Sequence, residues 1–238
     1  SLFRKKEGEV LMKNSIKKII STFLIAGVTL SNFGGITLNA LAESTGSLSV
    51  TESFDGESVN TSFISGNGAV ASDPSNSENR VWKIENAGSS MTTLITNLRP
   101  AAFLNGVPAE KTGKLIYEYK VYIPSNNPMD GGGYYPIVNQ IKQYEGMAVG
   151  NIRPNIVFRQ NWQEAVIIEN GFDSWFSVKY VFDYETMTFD AYAQDKQFEN
   201  GTSFKDGIPS NKNFYDPLEG LHIRAYVPSG FTYYIDDL

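Results

Sequence analysis

The 238-residue sequence has no cysteine and a single histidine, His222. Without cysteine no disulfide can staple the fold, and no thiolate can act as nucleophile or metal ligand. One histidine cannot build a His/Cys zinc site. No Ser or Asp motif around His222 suggests a catalytic triad, and its alternation with Leu221 and Ile223 reads as a surface or sheet-packing residue. Basic residues are the minority, 20 against 26 acidic. Nucleic acid and anionic membrane both need clustered Lys and Arg, so the balance argues against both as partners. No stretch holds a helical period of useful length, and no internal repeat or second domain is visible.

Long apolar runs are scarce too, with one exception near the start. Met12 to Lys18 is positively charged, Ile19 to Leu30 is almost uncharged and apolar, and Ala40-Leu41-Ala42 is a small-x-small site. Together they predict a secretory signal peptide over residues 12–42. Asn32, Gly34, Gly35 and Asn39 interrupt the run before it reaches the roughly 20 residues that span a bilayer. The expectation is a secreted or extracellular chain, cell-surface included, with no membrane contact after cleavage. Residues 1–11 precede Met12 and read as an upstream or mis-called extension, and 43–50 as a Ser/Gly-rich linker. Residues 1–42 hold six basic and two acidic side chains, leaving 14 of the 20 and 24 of the 26, a net charge of −10. An acidic surface disfavours a strongly anionic polysaccharide, although a local basic groove can override the global sign.

What is abundant is two-residue alternation. In Trp175–Asp183, Phe176, Val178, Tyr180 and Phe182 fall on one side of an extended chain, with Trp175, Ser177, Lys179, Val181 and Asp183 on the other. Tyr184–Met187 is polar enough to turn, and Thr188–Tyr192 resumes the alternation, which predicts a β-hairpin. Lys114–Pro124 alternates as clearly. Further strands are expected at 81–85, 91–98, 135–142, 155–161, 164–169, 221–227 and 231–238, with 66–79 as a turn-rich loop and 125–133 as a mobile one. Roughly ten short strands between Gly/Asn/Pro/Ser turns predict an all-β, two-sheet antiparallel sandwich over residues 51–238.

Trp175, Val178 and Asp183, then Thr188-Phe189-Asp190-Ala191-Tyr192, and the terminal Tyr234-Ile235-Asp236-Asp237-Leu238 form a recognisable pattern. It resembles the C-terminal half of bacterial concanavalin A-like (laminin-G/glucanase-type) jelly-roll modules, and Phe54-Asp55-Gly56 resembles their opening strand. The resemblance covers about half of the chain and is a strand pattern, without a catalytic signature. It implies a jelly-roll fold of the kind common in secreted polysaccharide-acting proteins. It also implies a ligand groove on the concave face of the larger sheet, and a structural calcium between the first and last strands. Asp55 and Asp236, with Asp237, are the acidic residues at those positions. These residues alone cannot supply the roughly six to eight oxygen ligands calcium takes, so a turn and a solvated strand end, with no cofactor, is the preferred reading.

For the groove, Gln140, Lys142, Asn155 and Arg159 would share one face if Ile141, Ile156 and Phe158 pack inward. Two cations and two amides side by side suit sugar hydroxyls, and Tyr134, Tyr135, Tyr144 and Trp162 could supply rings for a sugar's apolar face. Ordinary solvent-facing strand residues would look the same. Retaining glucanases of this fold carry a Glu-x-Asp-x-x-Glu strand, and this sequence has no such triplet. Jelly-roll lyases use a Gln-Ile-His strand, which Gln140-Ile141-Lys142 resembles except that Lys142 stands in place of His. A lyase reading would rest on Tyr135, Gln140, Lys142 and Arg159, but lysine, with an ordinary pKa near about 10.4, is a poor base near neutrality. The leading expectation is a non-catalytic carbohydrate-binding or adhesion-type module for a polysaccharide or oligosaccharide, monomeric or part of a larger chain. A uronate-directed lyase is the alternative, and a structural surface protein without glycan ligand is the third.

Overall fold

The computed structural model describes residues 51–56, 59, 61, 64–99, 113–130, 133–141, 147–159, 161–204 and 220–238, together with the backbone of two short strands. Those are β1 (Asn39–Leu41) and β2 (Ser47–Ser49), an antiparallel pair. The rest of the expected signal peptide lies outside the described residues.

Two seven-stranded antiparallel sheets stack face to face, with no helix among the described residues. The first sheet runs, in spatial order, β13 (Glu164–Ile167), β12 (Ile156–Phe158), β11 (Met147–Arg153), β10 (Ile137–Ile141), β17 (Leu221–Val227), β6 (Thr92–Leu98) and β3 (Ile64–Gly66). The second runs β16 (Lys196–Ser203), β15 (Thr188–Ala193), β14 (Trp175–Asp183), β7 (Lys114–Tyr122), β18 (Thr232–Asp236), β5 (Arg80–Glu85) and β4 (Ala69–Ser72). This is the jelly-roll sandwich the alternation predicts. A small hairpin, β8 (Met129–Asp130) with β9 (Gly133–Tyr134), stands apart from both sheets.

The core lies between the sheets and follows the parity of the sequence. On β14 the buried residues are Phe176, Val178, Tyr180 and Phe182, and on β7 Tyr117, Tyr119 and Val121. These sides pair in register, Val178 opposite Tyr119 and Tyr180 opposite Tyr117, so one continuous aromatic layer faces the first sheet. That sheet answers with Ile137, Ile141, Ile152, Val157, Ile223 and Leu94. Rings then close the interior edge to face: Phe182 meets Phe204 at 5.7 Å, and Tyr180 meets Phe198 at 6.0 Å.

The sequence pattern does not announce every strand, β11 and β16 among those it misses. β11 contains Gly150, which breaks the alternation, yet the glycine has a packing role: a Cβ there would meet Tyr180 Oη at 2.7 Å and Phe198 at 3.0 Å. Tyr180 of one sheet thus occupies the space over Gly150 of the other. β16 reads as a polar tract, and its bulged register against β15 explains why. The segment expected as a turn-rich loop, 66–79, contains β4, paired with β5. The segment expected as a mobile loop, 125–133, is tied down by buried Asn127. Its Oδ1 accepts from Thr232 N at 2.7 Å, and its Nδ2 donates to Thr232 O at 2.6 Å. A side-chain amide here copies the hydrogen bonding of a neighbouring strand. Asn86 does related work, donating to Val227 O and Ser90 O at 2.9 Å each. Glu52 and Leu238 exchange both backbone hydrogen bonds, at 2.8 and 3.1 Å.

Candidate functional site: the outer face of the first sheet

Residues directly opposite in register share a face of the sheet. On the outer face of the first sheet this assembles two rows. In one, Ala148, Gln140, His222, Asn97 and Ser65 lie on five successive strands. In the other, Phe158, Asn151, Val138, Arg224 and Ile95 do the same. Four strand-to-strand steps span about 19 Å, the reach of a short oligosaccharide. Tyr226, 55 % exposed, extends the β17 side, and Trp162, 52 % exposed, stands beyond β12 with its ring 6.3 Å from Phe158. The Arg153 guanidinium lies over the Phe158 ring at 5.5 Å.

Charge is distributed unevenly between the two sheets. Five lysine–carboxylate pairs occur among the described residues, and every lysine in them (Lys83, Lys114, Lys120, Lys179 and Lys196) belongs to the second sheet. Arg153 and Arg224 of the first sheet have no ion-pair partner among the described residues, and of the second sheet's cations Arg80 on β5 has none either. An acidic chain therefore keeps two uncompensated guanidinium groups on one face. Amide oxygens accompany them. Asn151 Nδ2 donates to Arg159 O at 3.3 Å, while Asn151 Oδ1 and Asn97 Oδ1 have no hydrogen-bond partner among the described residues.

Gln140 takes the outward position expected for it, with Ile141 inward. Lys142 and Tyr144 lie outside the described residues, and of Tyr134 only the backbone, in β9, is described. Tyr135 is half-buried with its ring edge-on to core Phe231 at 6.3 Å. Trp162 is an exposed ring in the β12–β13 turn at φ 65°. The expected parity of β12 is corrected. Val157, fully buried between Ile152 and Val166, faces the core, and Ile156 and Phe158 face outward. Three consecutive apolar residues carry no parity of their own, and pairing with the neighbouring strands decides it. Asn155 and Arg159 consequently do not share a strand face with Gln140. Asn155 is exposed in the β11–β12 turn and its carbonyl accepts from Ile168 N at 3.1 Å. Arg159 is exposed at the start of the β12–β13 turn, where its backbone bonds Gln163 and Trp162.

In their place the fold supplies His222, Arg224 and Asn97, while Asn151 in the same row is fully buried. The alternation of Leu221–Val227 already set His222, Arg224 and Tyr226 on one face. What it lacked was the knowledge that β17 lies beside β10.

The acidic residues at the chain's opening and closing strands are separately placed. Asp55 is exposed, whereas Asp236 is 6 % exposed and accepts from Asn79 Nδ2 at 3.0 Å. The same Asn79 amide donates to Asp73 at 3.1 Å. Asp73 also accepts from Ser75 N and Oγ at 2.7 Å each and from Trp175 Nε1 at 3.2 Å. Burial pushes the Asp236 carboxyl up to about 6, against the Asn79 bond and with the charges of Asp237 and Asp73 adding to the rise. Burial also pushes Asp73 up, but its four donors outweigh this and hold it below the usual carboxylate range. Among the described residues no three acidic or histidine side chains gather as a cation site.

No family model matches the chain, and no curated protein matches it either. Solved structures similar to it include a sialidase at TM-score 0.40 and 10% identity, covering 72% of this chain and 16% of that one. Another is an alginate lyase of polysaccharide lyase family 7, at 0.41 and 12%, covering 71% and 78%. A third is peanut lectin, at 0.43 and 9%, covering 79% and 97%. The chain thus spans well under two thirds of the sialidase. Nothing about ligand or reaction follows from likeness of this degree.

Proposed function

We propose that the domain binds an acidic polysaccharide across the outer face of its first sheet, as an exported, non-catalytic module. The observation that carries this is the pair of arginines, Arg153 and Arg224, without ion-pair partners among the described residues on a strongly acidic chain. A guanidinium meets a carboxylate through two parallel hydrogen bonds, and such charge-assisted bonds are the strong ones. Gln140 and Asn97 lie on the same face with amides suited to sugar hydroxyls. Trp162 and Tyr226 supply exposed rings at the two ends. The test is Arg224→Ala, assayed by affinity electrophoresis against alginate, polygalacturonate and hyaluronan beside neutral xylan. Loss of one charge-assisted bond of about 1.5–3 kcal/mol lowers affinity for the acidic polymer by about ten- to a hundredfold. Undiminished binding by a folded Arg224→Ala protein refutes the reading.

A second reading, a lyase on a uronate polymer, is favoured by one specific observation. The single histidine lies between Gln140 and Asn97, with Arg224 two residues along the same strand. In that reaction a base removes the proton at C5 of a uronate whose carboxylate is neutralised by a cation. The C4–O bond then breaks as the C4=C5 double bond forms, and the departing oxygen takes a proton. His222 and Arg224 fit those two roles better than Lys142 and Arg159, and Tyr226 could protonate the leaving group. Ultraviolet absorbance from new unsaturated ends, abolished by His222→Ala, would establish it. Absence of absorbance on every acidic polymer that binds removes it.

A further inference from the structure

The second sheet carries a different kind of surface. On its outer side Tyr234, Tyr122 and Trp175 form a row across three adjacent strands, with ring centroids 5.8 and 5.5 Å apart. Trp175 is held in place by its own indole N–H, which donates to Asp73 at 3.2 Å and to Ser75 Oγ at 3.1 Å. Both partners come from the loop after β4. The ring is only half-buried and lines an open, shallow hollow of about 540 Å³.

The hollow's far wall is built, not incidental. Gln194 and Glu169 join two separate turns, with Glu169 N donating to Gln194 Oε1 at 3.1 Å and Gln194 Nε2 donating to Glu169 O at 2.8 Å. Lys196 Nζ closes the same wall on Glu169 Oε1 at 3.0 Å. Lys120, at the opposite side, is paired with Asp237 at 2.6 Å. Ser177, opposite Lys120 in register, offers a small hydroxyl side chain between them. Every lysine of the hollow is therefore already neutralised, in contrast to the arginines of the first sheet. A fixed indole, neutralised cations and a serine hydroxyl do not suit an anion. They suit a ligand with one apolar face and many hydroxyls.

We propose that this hollow is a second saccharide site, for a short neutral β-linked glucan that lays one sugar ring on Trp175. In an all-equatorial glucose ring the axial hydrogens gather on the two faces and the hydroxyls point outward, the division of polarity that the hollow presents. The site is independent of the acidic-polymer reading, because the two faces lie on opposite sides of the sandwich and share no residue.

The test is titration calorimetry of the full chain with cellohexaose and laminarihexaose. The variants are Trp175→Ala, Ser177→Tyr and Arg224→Ala. Trp175→Ala removes the platform but also unties the loop after β4. Ser177→Tyr fills the hollow while removing no side-chain contact described above, and its melting temperature verifies the fold. The expected result is binding of a hexaose that both Trp175→Ala and Ser177→Tyr weaken by at least about tenfold, with Arg224→Ala unchanged. Acidic-polymer retention should be unaffected by Ser177→Tyr. Wild-type affinity in a folded Ser177→Tyr protein overturns the proposal, as does binding of neither hexaose. Loss of hexaose binding in Arg224→Ala with retention in Ser177→Tyr also overturns it, and assigns the neutral sugar to the first sheet. Loss of hexaose binding in Ser177→Tyr, with acidic-polymer binding indifferent to Arg224→Ala, upholds the second site and sinks the first.

Discussion

Replacing Asp236 by asparagine should make the protein more stable at neutral pH, and the structure sets the size of the effect. Asp236 is buried on β18, where it accepts one side-chain hydrogen bond, from Asn79, and its Oδ1 has no partner among the described residues. Burial pushes its carboxyl from 3.8 up to about 6. The fold thus prefers the protonated acid. Stability from this group is fully present below about pH 4, declines as pH rises through 6, and is flat beyond. The gap from 3.8 to about 6 corresponds to at most about 3 kcal/mol, reduced by the solvent that reaches and screens the carboxylate. Asp73, held below the usual range, behaves in the opposite sense: its contribution is present above 3.8 and lost on further acidification. The two carboxylates therefore act in different pH windows. The substituted amide would keep the shape and accept from Asn79 without carrying charge, though it forgoes the attraction that Lys120 feels from Asp236. Urea midpoints for wild type and Asp236→Asn, taken in steps from about pH 4 to pH 8, read the difference. The variant's advantage should grow through the interval from 4 to 6 by about 1–3 kcal/mol and then level. A difference that stays constant with pH, or grows in favour of wild type, refutes the account.

Other expectations concern packing. Gly150→Ala forces a methyl group against Tyr180 Oη and should cost about 1–3 kcal/mol; Tyr180→Phe, by removing the nearest atom, should recover part of that loss in a double-mutant cycle. A cycle with no coupling would show that the strain lies elsewhere, against Phe198. Asn127→Ala leaves the backbone N–H and C=O of Thr232 without their partners, and should destabilise by about 2–4 kcal/mol on two buried bonds. A thermal melt within a degree of wild type would contradict the bracket role given to Asn127.

Much of this fold was legible because the long strands alternate without error. Trp175–Asp183 and Lys114–Tyr122 announce both their extent and their buried side, and the structure pairs those two sides in register. Legibility ended where a residue serves a segment distant in sequence instead of its own strand. Gly150 is chosen by Tyr180, and Asn127 by Thr232, so neither can be understood from its sequence neighbours. The candidate site suffered likewise. Gln140 was placed correctly from its own strand, but the parity of Ile156-Val157-Phe158 was fixed by Ile152 and Val166 across the sheet. His222 and Arg224 came beside Gln140 only through a strand order that joins distant segments.

The reciprocal hydrogen bonds between Glu52 and Leu238 bear on how the domain would respond to force. Tension drawing those two residues apart loads this reciprocal pair of bonds first. The next obstacle is β18, clamped between β5 and β7 in the middle of its sheet. Such a strand must break ladders on both edges before it comes free. A tether attached to either residue would therefore first strain a latch and then load a strand held along both edges.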